Sequence, residues 1–336
     1  MGKFAFIVHP ERADDIKRFI PAARYIPSRL AEGLSRFFPP SVISEIGVKT
    51  PHGSATGCII SIHLTSCLIN KLPVEGIIKR VVKAGRIAEK MGAEVLGLGG
   101  LSKIALNVVS GEFNIPVIGG GGYAMATALE SLEKAFSLMG DGISKYHAVV
   151  LEAGGTVGGL CSLILSEKVK SMTLVSDKKE NVVNLTGKIL FHSGISARID
   201  TDIKNALRTA HLVIAPPHTD IDPVDLKPGS VLYDLSYRQS LGKKIAMLRN
   251  DVLVLLGGFV KIPGYTGNYS EEGCPPGTFD SCLAETIIHA VEKSYNNSPL
   301  HNIAITDNIC LLAAKHGFKN AGIKGAAGIF LTEQPA

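Results

Sequence analysis

The sequence predicts an α/β protein. It has a doubly wound parallel sheet in its second half, a separate α/β unit before it, and C-terminal helices that join back onto the first unit. Three observations carry that reading. After residue 146, short strands recur that are apolar throughout, not alternating, with helical stretches between them; this is the pattern of a parallel sheet covered on both faces. A glycine cluster at 153–159 lies where the first of these strands passes into a helix. The 336 residues, 46% hydrophobic and 19% charged, suffice for about two domains with real cores.

In the first unit, residues 43–62 read as a hairpin turning at His52–Gly53. Residues 73–92 read as an amphipathic helix opened by Pro73 and closed by Gly92. Its apolar stripe is Ile77, Val81, Ala84, Ala88 and Met91, and Lys79, Lys83, Arg86 and Lys90 form a basic stripe. Strands follow at 93–100 and 114–122, then a helix at 124–140. The pattern changes at 141–146, so the divisions expected are 1–143, 144–277 and 278–336. The middle section reads as strands at 147–153, 171–177, 187–194, 211–217, 229–236 and 251–258, with helices at 156–168 and 201–210. Two helices, near 280–296 and 303–316, close the chain onto the first unit.

Composition excludes several classes. The apolar content rules out a disordered chain, and no stretch approaches the ~18 apolar residues of a membrane span. The N-terminus, MGKFAFIVHPERADD, is unlike a secretory signal, so a cytoplasmic location is expected. The six cysteines show no CxxC pairing, and no metal site is expected. Net charge is +5, with 6% aromatics and no tryptophan; nucleic-acid binding is not expected, whereas acidic or phosphorylated ligands suit the charge.

The chemistry concentrates in two segments. A dinucleotide pyrophosphate needs a tight turn, close backbone approach and a helix N-terminus with free N–H groups. Ala153, Gly154, Gly155, Thr156, Val157 and Gly158 meet the strand–turn–helix context, with Ala153 where the first glycine of the usual pattern belongs. Together with the strand order this marks the Rossmann NAD(P)-binding plan. Asp177 ends the next strand about 20 residues on, where a carboxylate accepts from ribose hydroxyls and favours NADH over NADPH, although Lys178 beside it suits a phosphate. A second glycine run, Gly119–Gly122, also joins a strand to a helix and reads as a ligand loop or a hinge. The other segment is PPGTFDSCLAETIIHAVEK (275–293), where Thr278 or Asp280 caps a helix with Cys282 in its first turn and Glu285 and His289 on the same face. That pattern suits either a reactive thiol or a packed cysteine.

FDSCLAE (279–285), with PPSVISEIGV (39–48), GAEVLGLGGLSKI (92–104), VLYDLSY (231–237), VLLGGFV (254–260) and KHGF (315–318), resembles the aldehyde-forming long-chain acyl-[acyl-carrier-protein] reductases. The resemblance implies NAD(P)H-dependent reduction of an acyl thioester through a thioester on Cys282, with Glu285, His289 or Tyr237 as proton donor and Gly257–Gly258 beside the cofactor. It also implies an acidic acyl carrier protein as partner, facing the basic stripe, and is compatible with a homo-oligomer. Glu152 and Asp177 depart from the family's residues. The alternatives are a non-covalent dehydrogenase of an amino or hydroxy acid, in which Cys282 only packs, and a non-catalytic nucleotide-binding protein.

Overall fold

The computed structural model describes residues 1–100, 106, 108–216, 219–235, 240–271, 273–294, 303–326 and 330–331. The first unit is built on β1 (Gly2–Val8), β2 (Ser41–Thr50), β3 (Gly53–Ser61), β4 (Val95–Leu98) and β5 (Val117–Ile118). The run β3-β1-β4-β5 is parallel, and the β2–β3 hairpin is antiparallel, turning at Pro51–His52. Between these strands lie α1 (Ile16–Phe19), α2 (Ser28–Ser35), α3 (Ser66–Lys71) and α4 (Val74–Lys90), with α5 (Gly122–Leu138) after β5. In α4, Ile77, Val81, Ala84 and Ala88 are buried as the helical period demands. Met91, placed in that stripe from sequence, is the C-cap residue and is exposed, because the helix has ended before the stripe would bring it round.

The second unit contains β6 (His147–Val150), β7 (Ser171–Val175), β8 (Arg198–Asp200), β9 (Leu212–Ala215), β10 (Val231–Asp234) and β11 (Leu253–Leu256). They form a parallel sheet in the order β11-β10-β9-β6-β7-β8, so the chain reverses its direction of sheet growth between β6 and β9. This is the doubly wound Rossmann arrangement. Its connecting helices are α6 (Thr156–Ser166), α7 (Glu180–Ser193), α8 (Ile203–Thr209) and α9 (Ser240–Leu248). One core lies under α5, α6 and α7 and another under α8 and α9, which explains why these strands lack polar alternation.

The strand expected at 187–194 is instead the last two turns of α7. Val182, Leu185 and Ile189 form its buried stripe, Gly194 closes it at φ +76°, and Leu190 and Phe191 (96% exposed) face solvent. The apolar run Ile189–Phe191 imitates a buried strand, and the third strand is the shorter and more polar β8.

The chain then leaves the second sheet. Of β12 (Phe259–Lys261), β13 (Tyr265–Gly267) and β14 (Thr278–Asp280), β13 adds antiparallel to β2, and β12 and β14 pair in a small sheet. Helices α10 (Ser281–Glu292) and α11 (Ile303–His316) follow, with α10 lying across β1, β3 and β4. Finally β15 (Lys319–Asn320) pairs with β12, and β16 (Ile323–Gly325) and β17 (Phe330–Leu331) extend the second sheet antiparallel beyond β11. Helix α5 packs in the second unit's core through Met125, Ala128 and Leu132, and in the first unit's core through Tyr123 and Ala126, so it bridges the two.

Candidate functional site

Where β6 ends, the chain turns tightly before α6. Glu152 adopts φ +48°, and its carbonyl accepts the Gly155 N–H at 2.9 Å. Buried Ala153 donates its N–H to Val175 O at 2.9 Å, which pins the turn to the end of β7. A Cβ on Gly154 would lie 2.8 Å from Asn181 Cβ, and one on Gly158 would lie 2.8 Å from the Glu152 carbonyl carbon and 3.0 Å from Ala153 Cα. Gly155 differs: it is exposed, approached only by Glu152 O at 3.3 Å, and among the described residues no side chain caps the helix that begins at Thr156 and Val157. Two glycines are therefore fixed by packing, and the third leaves the helix head open. These are the backbone requirements of a pyrophosphate loop, and they stand at the point where the strand order reverses. Asp177 and Lys178 are exposed just beyond β7, on the side of the loop where Ser176 donates to Lys178 O at 3.1 Å.

The second glycine run is differently placed. Gly120 has φ +67°, and a Cβ there would lie 2.7 Å from both Cα and Sγ of Cys282. The Cys282 thiol donates to Gly120 O at 3.0 Å. The Ser281 N–H donates to Gly258 O at 3.2 Å, Gly258 packs on Ala124 and Thr127 of α5, and the Tyr233 hydroxyl donates to Gly257 O at 2.9 Å. The C-terminal ends of β5 and β11 and the head of α10 thus meet in one seam between the two units. Ligands of open α/β sheets bind outside the C-terminal ends of strands.

Asp280 caps α10, its Oδ1 accepting the Cys282 N–H at 2.7 Å, while Glu271 Oε2 accepts the Asp280 N–H at 2.7 Å. Glu285 is buried, and its Oε2 accepts the Tyr123 N–H at the head of α5 at 2.9 Å. Burial pushes the Glu285 carboxyl up to about 7, with the charge of Asp280 adding to this and the Tyr123 N–H opposing it. Burial, reinforced by Asp280, pushes Glu271 up to about 8. His289 is turned to the far end of α10, its Nδ1–H donating to Ser294 O at 2.7 Å, and burial lowers its pKa. The structure therefore brings Cys282, Glu285, Gly257 and Gly258 to the seam and takes His289 away from it; Tyr237, like His218 and His301, lies outside the described residues. Sequence reasoning missed Glu271, Gly120 and Thr127 as neighbours of the α10 head, because no local spacing connects them to it. The basic stripe of α4 is exposed, with Arg86 paired to Glu89 at 2.7 Å.

Fold and site together define a Rossmann-type α/β protein with a second parallel-sheet unit packed at its strand ends. No family model matches the chain. It is 25% identical over 260 residues to aminotransferase PigE of Serratia sp. (strain ATCC 39006), a match covering 72% of this chain and 30% of that protein; the chain thus spans about a third of its curated relative's length. Among solved structures it is similar to quinate dehydrogenase from Corynebacterium glutamicum in complex with NAD (13% identity, TM-score 0.34, 74% of this chain and 86% of that one). It is also similar to shikimate 5-dehydrogenase from Listeria monocytogenes in complex with shikimate and NAD (10% identity, TM-score 0.36, 76% and 86%). The sequence match to an aminotransferase overturns the resemblance to acyl-carrier-protein reductases drawn from FDSCLAE and its companion segments. Local packing accounts for much of that short match: Asp280 is a helix cap, and Leu283, Ala284 and Glu285 are buried.

Proposed function

We propose that the chain is an NAD(P)-dependent oxidoreductase that acts on a small hydroxy or amino acid by direct transfer, with no covalent enzyme intermediate. The observation that carries this is the β6–α6 turn, where Gly154 and Gly158 are locked by contact and the helix head beyond Gly155 has no side-chain cap among the described residues. The backbone N–H groups from Thr156 to Gly158 would hold the pyrophosphate, with Asp177 accepting from ribose hydroxyls and Lys178 beside it. Asp177 supports NADH as the preferred form. The bound cofactor supplies or accepts the hydride. Glu285, whose carboxyl titrates at about 7, is suited to exchange a proton at neutral pH at the head of α5.

The disposition of Cys282 supports the non-covalent scheme. Its thiol donates to the Gly120 carbonyl at 3.0 Å, and its N–H is taken by the Asp280 carboxylate at 2.7 Å, so the sulfur sits packed in the seam. Titration with NADH and NADPH, followed by turnover assays on hydroxy acids, amino acids and acyl thioesters, tests the proposal. Cys282→Ala retains hydroxy- or amino-acid turnover within about threefold; a loss of ~10³-fold would instead make the sulfur a nucleophile.

A further inference from the structure

We propose that α2 and the turn after it form a docking surface for an anionic lipid bilayer. Ala31 and Ser35 face inward, where Ala31 joins a small core with Ile16, Ile20 and Ala23. Leu30 and Leu34 lie one turn apart on a neighbouring, exposed side. The stripe continues through Phe37 and Phe38, whose N–H groups donate to Leu34 O and Ser35 O at 2.9 and 3.1 Å. All four are exposed, Phe37 at 70%, with Tyr25 (91%) and Val42 beside them in sequence. Arg29 and Arg36, seven residues apart, run along one flank of the stripe, and Arg36 sits 4.7 Å from the centre of the Phe37 ring. A contiguous exposed apolar stripe of this kind marks an interaction surface.

Charge selects the occupant. Along α2 and the turn after it the chain carries two exposed cations, Arg29 and Arg36, and one acid, Glu32, while nearby Lys17 is paired with Asp14 at 3.9 Å. Glu32 is turned inward, accepting from the Thr65 hydroxyl. A second copy docked across a two-fold axis would set these arginines against themselves. An anionic headgroup layer complements them and receives projecting Leu and Phe side chains without requiring a shaped groove. Arg18 also ties this segment to the second half of the chain, donating to Ser270 O at 3.2 Å. The surface is independent of whether the β6–α6 turn holds a nucleotide.

The test is co-sedimentation of the full chain with phosphatidylcholine vesicles and with vesicles of phosphatidylcholine mixed with phosphatidylglycerol. Binding to the mixed vesicles should exceed binding to the neutral ones at least ~10-fold and weaken with added salt. Leu34→Ser with Phe37→Ser, and separately Arg29→Glu with Arg36→Glu, should each lower it by ~10-fold or more while leaving the far-UV circular dichroism unchanged, since these side chains are exposed. Three results overturn the proposal: no sedimentation with anionic vesicles, undiminished binding by both variants, or a wild-type dimer that the Leu34/Phe37 variant renders monomeric.

Discussion

The two glycine loops, Glu152–Gly158 and Gly119–Gly122, look alike in sequence, since each carries a strand into a helix. In the structure they serve opposite ends. The first ends in a helix head that no side chain caps among the described residues, with Gly154 and Gly158 pressed against neighbouring atoms and Gly155 exposed. The second is sealed: Gly120 lies against Cys282, and the Tyr123 N–H at the head of α5 is taken by Glu285. Glycine content therefore does not make a phosphate loop. What decides is whether the first-turn N–H groups of the following helix are free or already bound to a carboxylate from elsewhere in the chain.

The largest effects should separate the two loops. In Gly120→Ala the side chain meets both the positive φ and the Cys282 contact, so the variant should lose roughly 2–4 kcal/mol of stability. Nucleotide affinity per folded molecule should stay unchanged. Gly158→Val should lose roughly 1–3 kcal/mol and, in addition, at least ~10-fold in NAD(P)H affinity, because the displaced Glu152 carbonyl is part of the turn itself. Denaturant melts paired with nucleotide titration read both quantities. If Gly120→Ala lost nucleotide binding with its stability intact, the assignment of the two loops would be reversed.

Much of this was legible from the chain. The unbroken apolar strands gave the parallel sheet, Gly154–Gly158 gave the open turn, and Asp280 gave the start of the Cys282 helix. What was not legible depends on residues brought together from far apart. The Cys282–Gly120 and Glu285–Tyr123 contacts each join positions 162 residues apart, and no local pattern encodes such a pairing. The strand misread at 187–194 has a different cause. Ile189, Leu190 and Phe191 are consecutive apolar residues, but only Ile189 is buried; the deciding signal was the wider spacing Val182–Leu185–Ile189, which has the helical period.

A middle-sized effect belongs to the sealed loop. The folded protein keeps the proton on Glu285 up to about 7, whereas an unfolded glutamate releases it near 4.5. Between those values the folded state binds more protons, so this residue's contribution to stability falls as pH rises, by at most about 1.4 kcal/mol per pH unit. Glu285→Gln keeps an oxygen to accept the Tyr123 N–H and removes the titration. Its melting temperature should therefore fall less than that of the wild type between pH 5 and 7. Identical slopes for the two proteins would mean that the carboxylate sealing α5 is already ionised at pH 5.

The smallest effect should come from the open loop, at Glu152. A glutamate held at φ +48° costs about 1–2 kcal/mol relative to the right-handed region, and glycine has no such penalty. Glycine also makes the unfolded chain more flexible, which takes back about 0.4–1 kcal/mol. Glu152→Gly should accordingly be more stable by roughly 0.5–1 kcal/mol, seen as a higher denaturant midpoint with an unchanged slope. The Glu152 side chain is exposed, and the Gly155 N–H is bound by the backbone carbonyl, so the turn keeps its shape. Removing a carboxylate next to the helix head should also tighten NAD(P)H binding rather than weaken it. Weaker binding in this variant would show that the side chain at 152 takes part in holding the ligand, and the open loop would then depend on a charge as well as on its backbone.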